Sequence, residues 1–259
     1  MSAKVIVVSS EKGGVGKTFL SVNISFGLAK YGKTLLIDFD PQSSSSKRYA
    51  GLLDYVELTG SETVFDKKHP TLSYSQAVIG SSRTPVPNLY ISVTNYRFVE
   101  ALSEAGTHAR SAMFLSRALK NNKDDFDYII VDCPPDLSSI ATVNGLTAAD
   151  VLLCPVNTDF DSFSGVSKTL AKLDECVDDR PEIQLIVNAF DPREIDSLRD
   201  ALPYLSDYSE RGYYSGLSVP RTASAKKAHG TKMLPVELFR PSETRPTTEG
   251  ISKVIEFVK

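Results

Sequence analysis

"SSEKGGVGKTFL", residues 9–20, is the stretch on which the reading of this chain turns. It follows the apolar run "KVIVVS" (4–9) and opens a helical pattern over 17–31, with Gly32 as its stop. A phosphate-binding loop asks for glycine, four open positions, then Gly-Lys-Thr/Ser, placed between a strand and a helix. Gly16, Lys17 and Thr18 supply the ending, but Glu11 stands where the first glycine belongs, and a second lysine, Lys12, follows it. The glycines at 13, 14 and 16 let backbone N–H groups converge on phosphate oxygens, and the helix start adds its dipole. Lys17 is placed for the β- and γ-phosphates, and the Thr18 hydroxyl for Mg²⁺.

Outward from the loop, short Val/Ile/Leu-rich runs alternate with helix-length patterns. Strands are expected at 4–9, 34–38, 89–93, 128–132, 151–156, 183–188 and 216–220, and helices near 17–31, 97–121, 161–177, 193–205 and 244–258. The strands mostly do not alternate in polarity, as expected when both faces are covered. The fold class is therefore α/β: one P-loop NTPase domain over 1–259, with a mostly parallel twisted sheet of about seven to eight strands and helices on both faces. Residues 51–88 are the least legible, with turn signals around one expected short helix, "TLSYSQAVI" (71–79). "SSSS" (43–46) reads as a polar loop.

Two further segments bring acids to the sheet's carboxyl edge, where open α/β sheets bind ligands. In "LLIDFDPQ" (35–42), Asp38 and Asp40 are two apart and emerge together, suited to a magnesium shell and to an attacking water. "DYIIVDCPPD" (127–136) ends a buried strand in Asp132, a partner for metal-bound water. Pro134 and Pro135 stop the strand, and Cys133, with no histidine near it in sequence, reads as a packing residue.

Composition narrows the classes. A net charge of −3 gives no global attraction to nucleic acid or acidic membranes, so such binding must come from a local patch. Three scattered cysteines match no metal-ligand spacing and fit a reducing cytosol. No signal peptide or spanning run is legible, so a cytoplasmic, soluble protein is expected.

Taken together, "KGGVGKT", "LLIDFDPQ", "DYIIVDCPPDLSSIATVNGLTAADVLLCPV", "SGVSKTLAKL", "IVNAFDPR" and "VPR" resemble the ParA/MinD family of deviant Walker A ATPases, and within it the ParA branch. The resemblance implies ATP and Mg²⁺ as cofactors and a slow basal ATPase. It also implies an ATP-bound homodimer in which Lys12 reaches the partner's nucleotide. The implied catalytic set is Lys12, Lys17 and Asp40, with Asp40 orienting water. The nucleotide-binding set is Lys12, Gly13, Gly14, Val15, Gly16, Lys17, Thr18 and Phe19, joined by Asn188 at the adenine edge and Pro220 against the base. The metal set is Thr18, Asp38 and Asp132, the last as the Walker B acid.

The resemblance also implies nonspecific DNA, with nucleoid association when ATP is bound, and a ParB-like centromere-binding or cargo-adaptor partner. Arg221, Lys226, Lys227 and Lys232 fall in an acid-free stretch (218–235), with Arg240 and Arg245 following, and are the candidate DNA contacts. Phe19 departs from the family by standing where a second threonine is common, which implies a missing α-phosphate contact. The segment after "VPR" also departs, which leaves the partner's identity open. Two alternatives are a MinD-like membrane-cycling ATPase and a ParA-like positioner of a non-DNA cargo. The first needs a detachable amphipathic C-terminal helix, but Ile251, Val254, Ile255 and Val258 read as core-facing. A tyrosine autokinase would need a tyrosine-rich tail, and no Tyr follows Tyr214.

Overall fold

A computed structural model describes residues 3–50, 54–80, 82–108, 110–191, 193–230, 235–238 and 241–259. Eight strands form one sheet: β1 (Lys4–Val8), β2 (Thr34–Asp38), β3 (Ser75–Ile79), β4 (Thr84–Ser92), β5 (Tyr128–Asp132), β6 (Val151–Val156), β7 (Glu182–Phe190) and β8 (Ser218–Pro220). Their order is β3-β4-β2-β5-β1-β6-β7-β8. Every described pairing is parallel except β3 with β4. β2 and β6 are buried along their whole length, which is why their sequences run apolar without alternation.

Nine helices are described: α1 (Lys17–Leu28), α2 (Ser44–Tyr49), α3 (Tyr96–Ala105), α4 (Phe114–Asn122), α5 (Ile140–Ala148), α6 (Phe160–Cys176), α7 (Ile195–Glu210), α8 (Ala223–Gly230) and α9 (Pro241–Val258). They cover two faces. One core layer gathers Leu20, Ile24 and Leu28 of α1 with Val254, Ile255 and Val258 of α9. The other gathers Phe98 of α3, Leu115 of α4, Leu146 of α5, Leu170 of α6 and Leu205 of α7. The α9 stripe thus packs as core, in agreement with the sequence reading of Ile251, Val254, Ile255 and Val258. Among the described residues no helix is long and apolar enough to cross a membrane.

Several expectations are corrected. The stretch read as a helix over 71–79 holds β3, which returns antiparallel on β4 through a turn with Gly80 and Arg83 at positive φ. Over nine residues the apolar positions fit either period, and the β-branched pair Val78–Ile79 settles as strand. The helix expected over 97–121 is two, α3 and α4, separated by Gly106 and a 3-10 turn at Ser111–Met113. The serine run read as a loop forms α2, entered through Ser43 at φ 56°. Helices α5 and α8 fall where none was expected.

Candidate nucleotide site

The loop Ser9–Gly16 joins β1 to α1 at the carboxyl edge of the sheet. Gly14 and Gly16 take φ of 79° and 93°, conformations that only glycine adopts without strain. Gly16 is doubly constrained: a Cβ there would sit 2.1 Å from Nδ2 of Asn188. That amide donates to the Val15 carbonyl at 2.7 Å, so the end of β7 is pinned to the loop.

Lys17 is nearly buried, and its Nζ donates to the carbonyls of Ser10 and Lys12, each at 3.0 Å. The side chain lies across its own loop. Burial lowers its pKa, while the charges of Asp132 and Asp40 act in the opposite sense and help hold the ammonium.

The three acids separate by environment. Asp38 and Asp132 are register partners across β2 and β5, and both are fully buried. Asp132 accepts from Ser21 Oγ at 3.1 Å and from Ser45 Oγ at 2.5 Å. Asp38 accepts from Ser46 N at 2.8 Å, Ser46 Oγ at 2.6 Å and Asp40 N at 3.1 Å. Burial pushes both carboxyls above the ordinary range, and nearby negative charge adds to it: that of Asp132 on Asp38, and that of Asp40 on Asp132. Asp40 is half-buried, caps the following turn through Gln42 N at 2.9 Å, and is the most accessible of the three. Cys133 is fully buried with its thiol pKa pushed up, which makes it a packing residue.

Lys12 points away from this cradle. Its ammonium pairs with Asp159, whose carboxylate also caps α6 by accepting from Ser162 N at 2.9 Å. The neighbouring Glu11 pairs with Lys168 at 2.9 Å, and its N–H donates to Thr169 Oγ1 at 3.1 Å. Gly165 lets the helix come close, since a Cβ there would lie 3.3 Å from Lys12 N. The front of the loop is therefore held by α6.

Beside the loop lies a cavity of about 240 Å³, walled by Gly16, Phe19, Asn188, Pro220, Arg221 and His229 among others. Asn188 and Pro220, from β7 and β8, both line it. Arg221, Lys226, Lys227 and Arg245 are exposed; Arg221 lies 3.9 Å from Glu194, and Arg245 pairs with Glu249 at 2.7 Å. Lys232 and Arg240 lie outside the described residues. Sequence reasoning missed Ser21, Ser45, Ser46, Asp159 and His229. Of these, only Asp159 carried a local signal, the helix-capping pattern Asp-x-x-Ser.

A strand–loop–helix cradle with an enclosed lysine, beside two buried acids at the sheet's carboxyl edge, defines a P-loop nucleotide-binding protein. The AAA_31 family model, an AAA domain, matches residues 3–185. The chromosome-partitioning ATPase Soj of Treponema pallidum is 36% identical over 170 residues, covering 64% of this chain and 62% of its own length. The chain therefore spans about six-tenths of that relative's length. An uncharacterized protein of Methanocaldococcus jannaschii is 30% identical over 266 residues, covering 98% of this chain and 97% of its own. Among solved structures, the McdA(D38A)–ATP complex of Cyanothece has the same fold, with a TM-score of 0.78 at 21% identity, covering 99% of this chain and 97% of that one. The chain belongs to the AAA_31 family and, with it, to the ParA/MinD family of deviant Walker A proteins.

Proposed function

We propose that the chain is an ATP-driven positioning switch. With ATP and Mg²⁺, two copies close over their nucleotides and the dimer holds nonspecific DNA. A ParB-like centromere-binding or cargo-adaptor protein then triggers hydrolysis and release. The division of labour between the two lysines carries this reading: Lys17 lies inside its own loop, while Lys12 reaches out to Asp159 at the rim. A cation held outside its own cradle is suited to delivery onto the phosphates of a second copy. There it would stabilise charge on the transferring phosphoryl group, as an arginine finger does.

Within one copy, the N–H groups of Gly13, Gly14, Val15 and Gly16 and the start of α1 would bind phosphates. Lys17 would exchange its two carbonyl partners for phosphate oxygens. Thr18, Asp38 and Asp132 would hold a divalent cation: the two buried carboxylates are register partners whose charge burial disfavours until a cation joins them, and Thr18 stands in the first turn of α1 beside the loop. When bound, Mg²⁺ neutralises charge on the β- and γ-phosphates. Asp40, the accessible acid, would accept a hydrogen bond from the attacking water and orient it. Burial of the α9 stripe favours this reading over membrane cycling.

For DNA, Lys226 and Lys227 lie exposed and adjacent on α8, with Arg221 and Arg245 also exposed. A single copy offers few phosphate contacts and a dimer doubles them, so binding should need ATP and weaken steeply with salt. The test is a DNA mobility shift with ATP and with ADP at two salt concentrations. ATP-dependent binding that is lost when Arg221, Lys226, Lys227 and Arg245 become Glu is expected; equal binding with ADP contradicts it.

A further inference from the structure

Two consecutive serines of α2 reach the two buried acids. Ser45 Oγ donates to Oδ2 of Asp132 at 2.5 Å. Ser46 meets Oδ2 of Asp38 twice, through its N–H at 2.8 Å and its hydroxyl at 2.6 Å. Both serines and both acids are fully buried, so these bonds do not exchange with bulk water.

The donors are themselves held. Ser46 Oγ accepts from Thr94 N at 2.8 Å, which leaves its single proton for the ionised carboxylate. The Thr94 hydroxyl in turn donates to the Asp38 carbonyl. At the entry to α2, Ser43 N donates to the Asp40 carbonyl at 2.8 Å. At its far end Tyr49 is fully buried, and its hydroxyl donates to the Val22 carbonyl of α1 at 2.7 Å. One short helix is thus fastened to the chain after β2, to the chain after β4, and to the helix whose first turn carries Thr18.

This pattern decides which oxygen of Asp38 stays open. A carboxylate oxygen has about two acceptor positions, and Ser46 fills both on Oδ2. Oδ1 takes one bond, from Asp40 N at 3.1 Å. We propose that Ser45 and Ser46 are positioning residues for a divalent cation, fixing the rotation of the Asp132 and Asp38 carboxylates and leaving Oδ1 of Asp38 open to it. This rests on the nucleotide and metal reading above. Each serine acts through the acid it holds and does not itself touch the cation. Ligating carboxylates are oriented by such outer partners, and losing one costs about 10- to 100-fold in metal affinity. Neutral donors suit the task, because a lysine or arginine in their place would compete with the cation for the same negative charge.

The experiment titrates Mn²⁺ into the full chain with ADP and reads free Mn²⁺ by electron paramagnetic resonance. ADP is used so that hydrolysis does not intervene. Wild type is compared with Ser45→Ala, Ser46→Ala, Ser46→Cys and Ser25→Ala. Cysteine nearly keeps the volume of serine but is a weak donor, and it stands in if Ser46→Ala does not fold. Ser25 is an equally buried control whose hydroxyl donates to the Val22 carbonyl at 3.0 Å. The Ser45 and Ser46 variants should each weaken Mn²⁺ binding about tenfold or more, while ADP binding in a chelator stays within about twofold of wild type. Ser25→Ala should bind Mn²⁺ as wild type does. Wild-type Mn²⁺ affinity in any Ser45 or Ser46 variant, or an equal loss in Ser25→Ala, overturns the proposal while leaving the nucleotide reading intact. Wild type that binds ADP but no Mn²⁺ overturns the metal assignment and the proposal together. Wild type that binds no ADP overturns the nucleotide reading itself, and the proposal with it.

Discussion

Asp38 and Asp132 lie directly opposite each other in the register of β2 and β5, both fully buried. Adjacent parallel strands that end together bring two carboxylates into one low-dielectric site, where their charges oppose folding. Both carboxyl pKa values are raised in the folded state. The stability such a group contributes is present below its unfolded pKa and lost as pH rises through the folded one. The nucleotide-free protein should therefore be under electrostatic load at pH 8.

Removing one of those charges should relieve the load. Asp38→Asn, melted in the presence of a chelator at pH 8, should be more stable than wild type by about 1–3 kcal/mol. The same variant should lose most Mg²⁺-dependent turnover. A variant less stable than wild type would mean that the hydrogen bonds from Ser46 and Asp40 outweigh the repulsion.

The sign is opposite in its pH sense at His229, whose folded pKa is lowered to about 3. Between that value and the ordinary value near 6.5, the unfolded chain binds a proton that the folded chain refuses. Stability from this group is complete above about pH 6.5 and falls by up to about 1.4 kcal/mol per unit as pH drops. Thermal melts between pH 7 and 4.5 should show a shallower acid loss for His229→Gln than for wild type. Parallel curves would place the proton elsewhere.

Gly16 and Gly13 should respond differently to alanine. At Gly16 the substitution meets φ 93° and the Asn188 amide at 2.1 Å, while at Gly13 a Cβ meets nothing within 4 Å. Denaturant unfolding without nucleotide should show Gly16→Ala destabilised by about 1–3 kcal/mol and Gly13→Ala within about 0.5 kcal/mol of wild type. Equal losses would show that the contact with β7 does not set the loop.

Lys12 and Asp159 are 147 positions apart in sequence and paired in the fold. For Lys12 to act on a second copy, this pair must open. Asp159→Asn keeps a good helix cap and removes the charge. A partly exposed ion pair contributes about 0.2–1 kcal/mol and a symmetric dimer opens two of them, so the ATP-dependent dimerisation constant should rise about 2- to 30-fold. Analytical ultracentrifugation with ATP reads it directly, and weaker dimerisation would show that Asp159 supports the closed state.

What was legible in the sequence follows its range of interaction. The β1–loop–α1 unit is local, and its glycines, lysine and flanking apolar runs lie close together in the chain, so the element could be read. Asp38, Asp40 and Asp132 were visible because buried parallel strands are continuous apolar runs and an acid at the end stands out. Helix α2 was not, because Ser44, Ser45 and Ser46 have no apolar period; Ser45 and Ser46 find their partners, Asp132 and Asp38, only in the fold. His229 and Asp159 were missed because each acquires its surroundings only when distant strands bring α8 and α6 to the loop. The strand β3 was misread because a nine-residue window cannot separate the two periods.

If Lys12 works on the nucleotide of a second copy, mixing two inactive variants should restore turnover. Lys12→Ala cannot supply the lysine, and Asp40→Ala cannot orient water at its own nucleotide. In a mixed dimer the site on the Lys12→Ala copy keeps Asp40 and receives Lys12 from its partner. Phosphate release from an equimolar mixture should therefore recover to at least about a quarter of wild type, since half of randomly paired dimers are mixed and each has one complete site. If Lys12 served its own nucleotide, every site in the mixture would carry one defect. Turnover no higher than the average of the two variants alone, with mixed dimers shown to form, would mean that Lys12 does not act across the dimer.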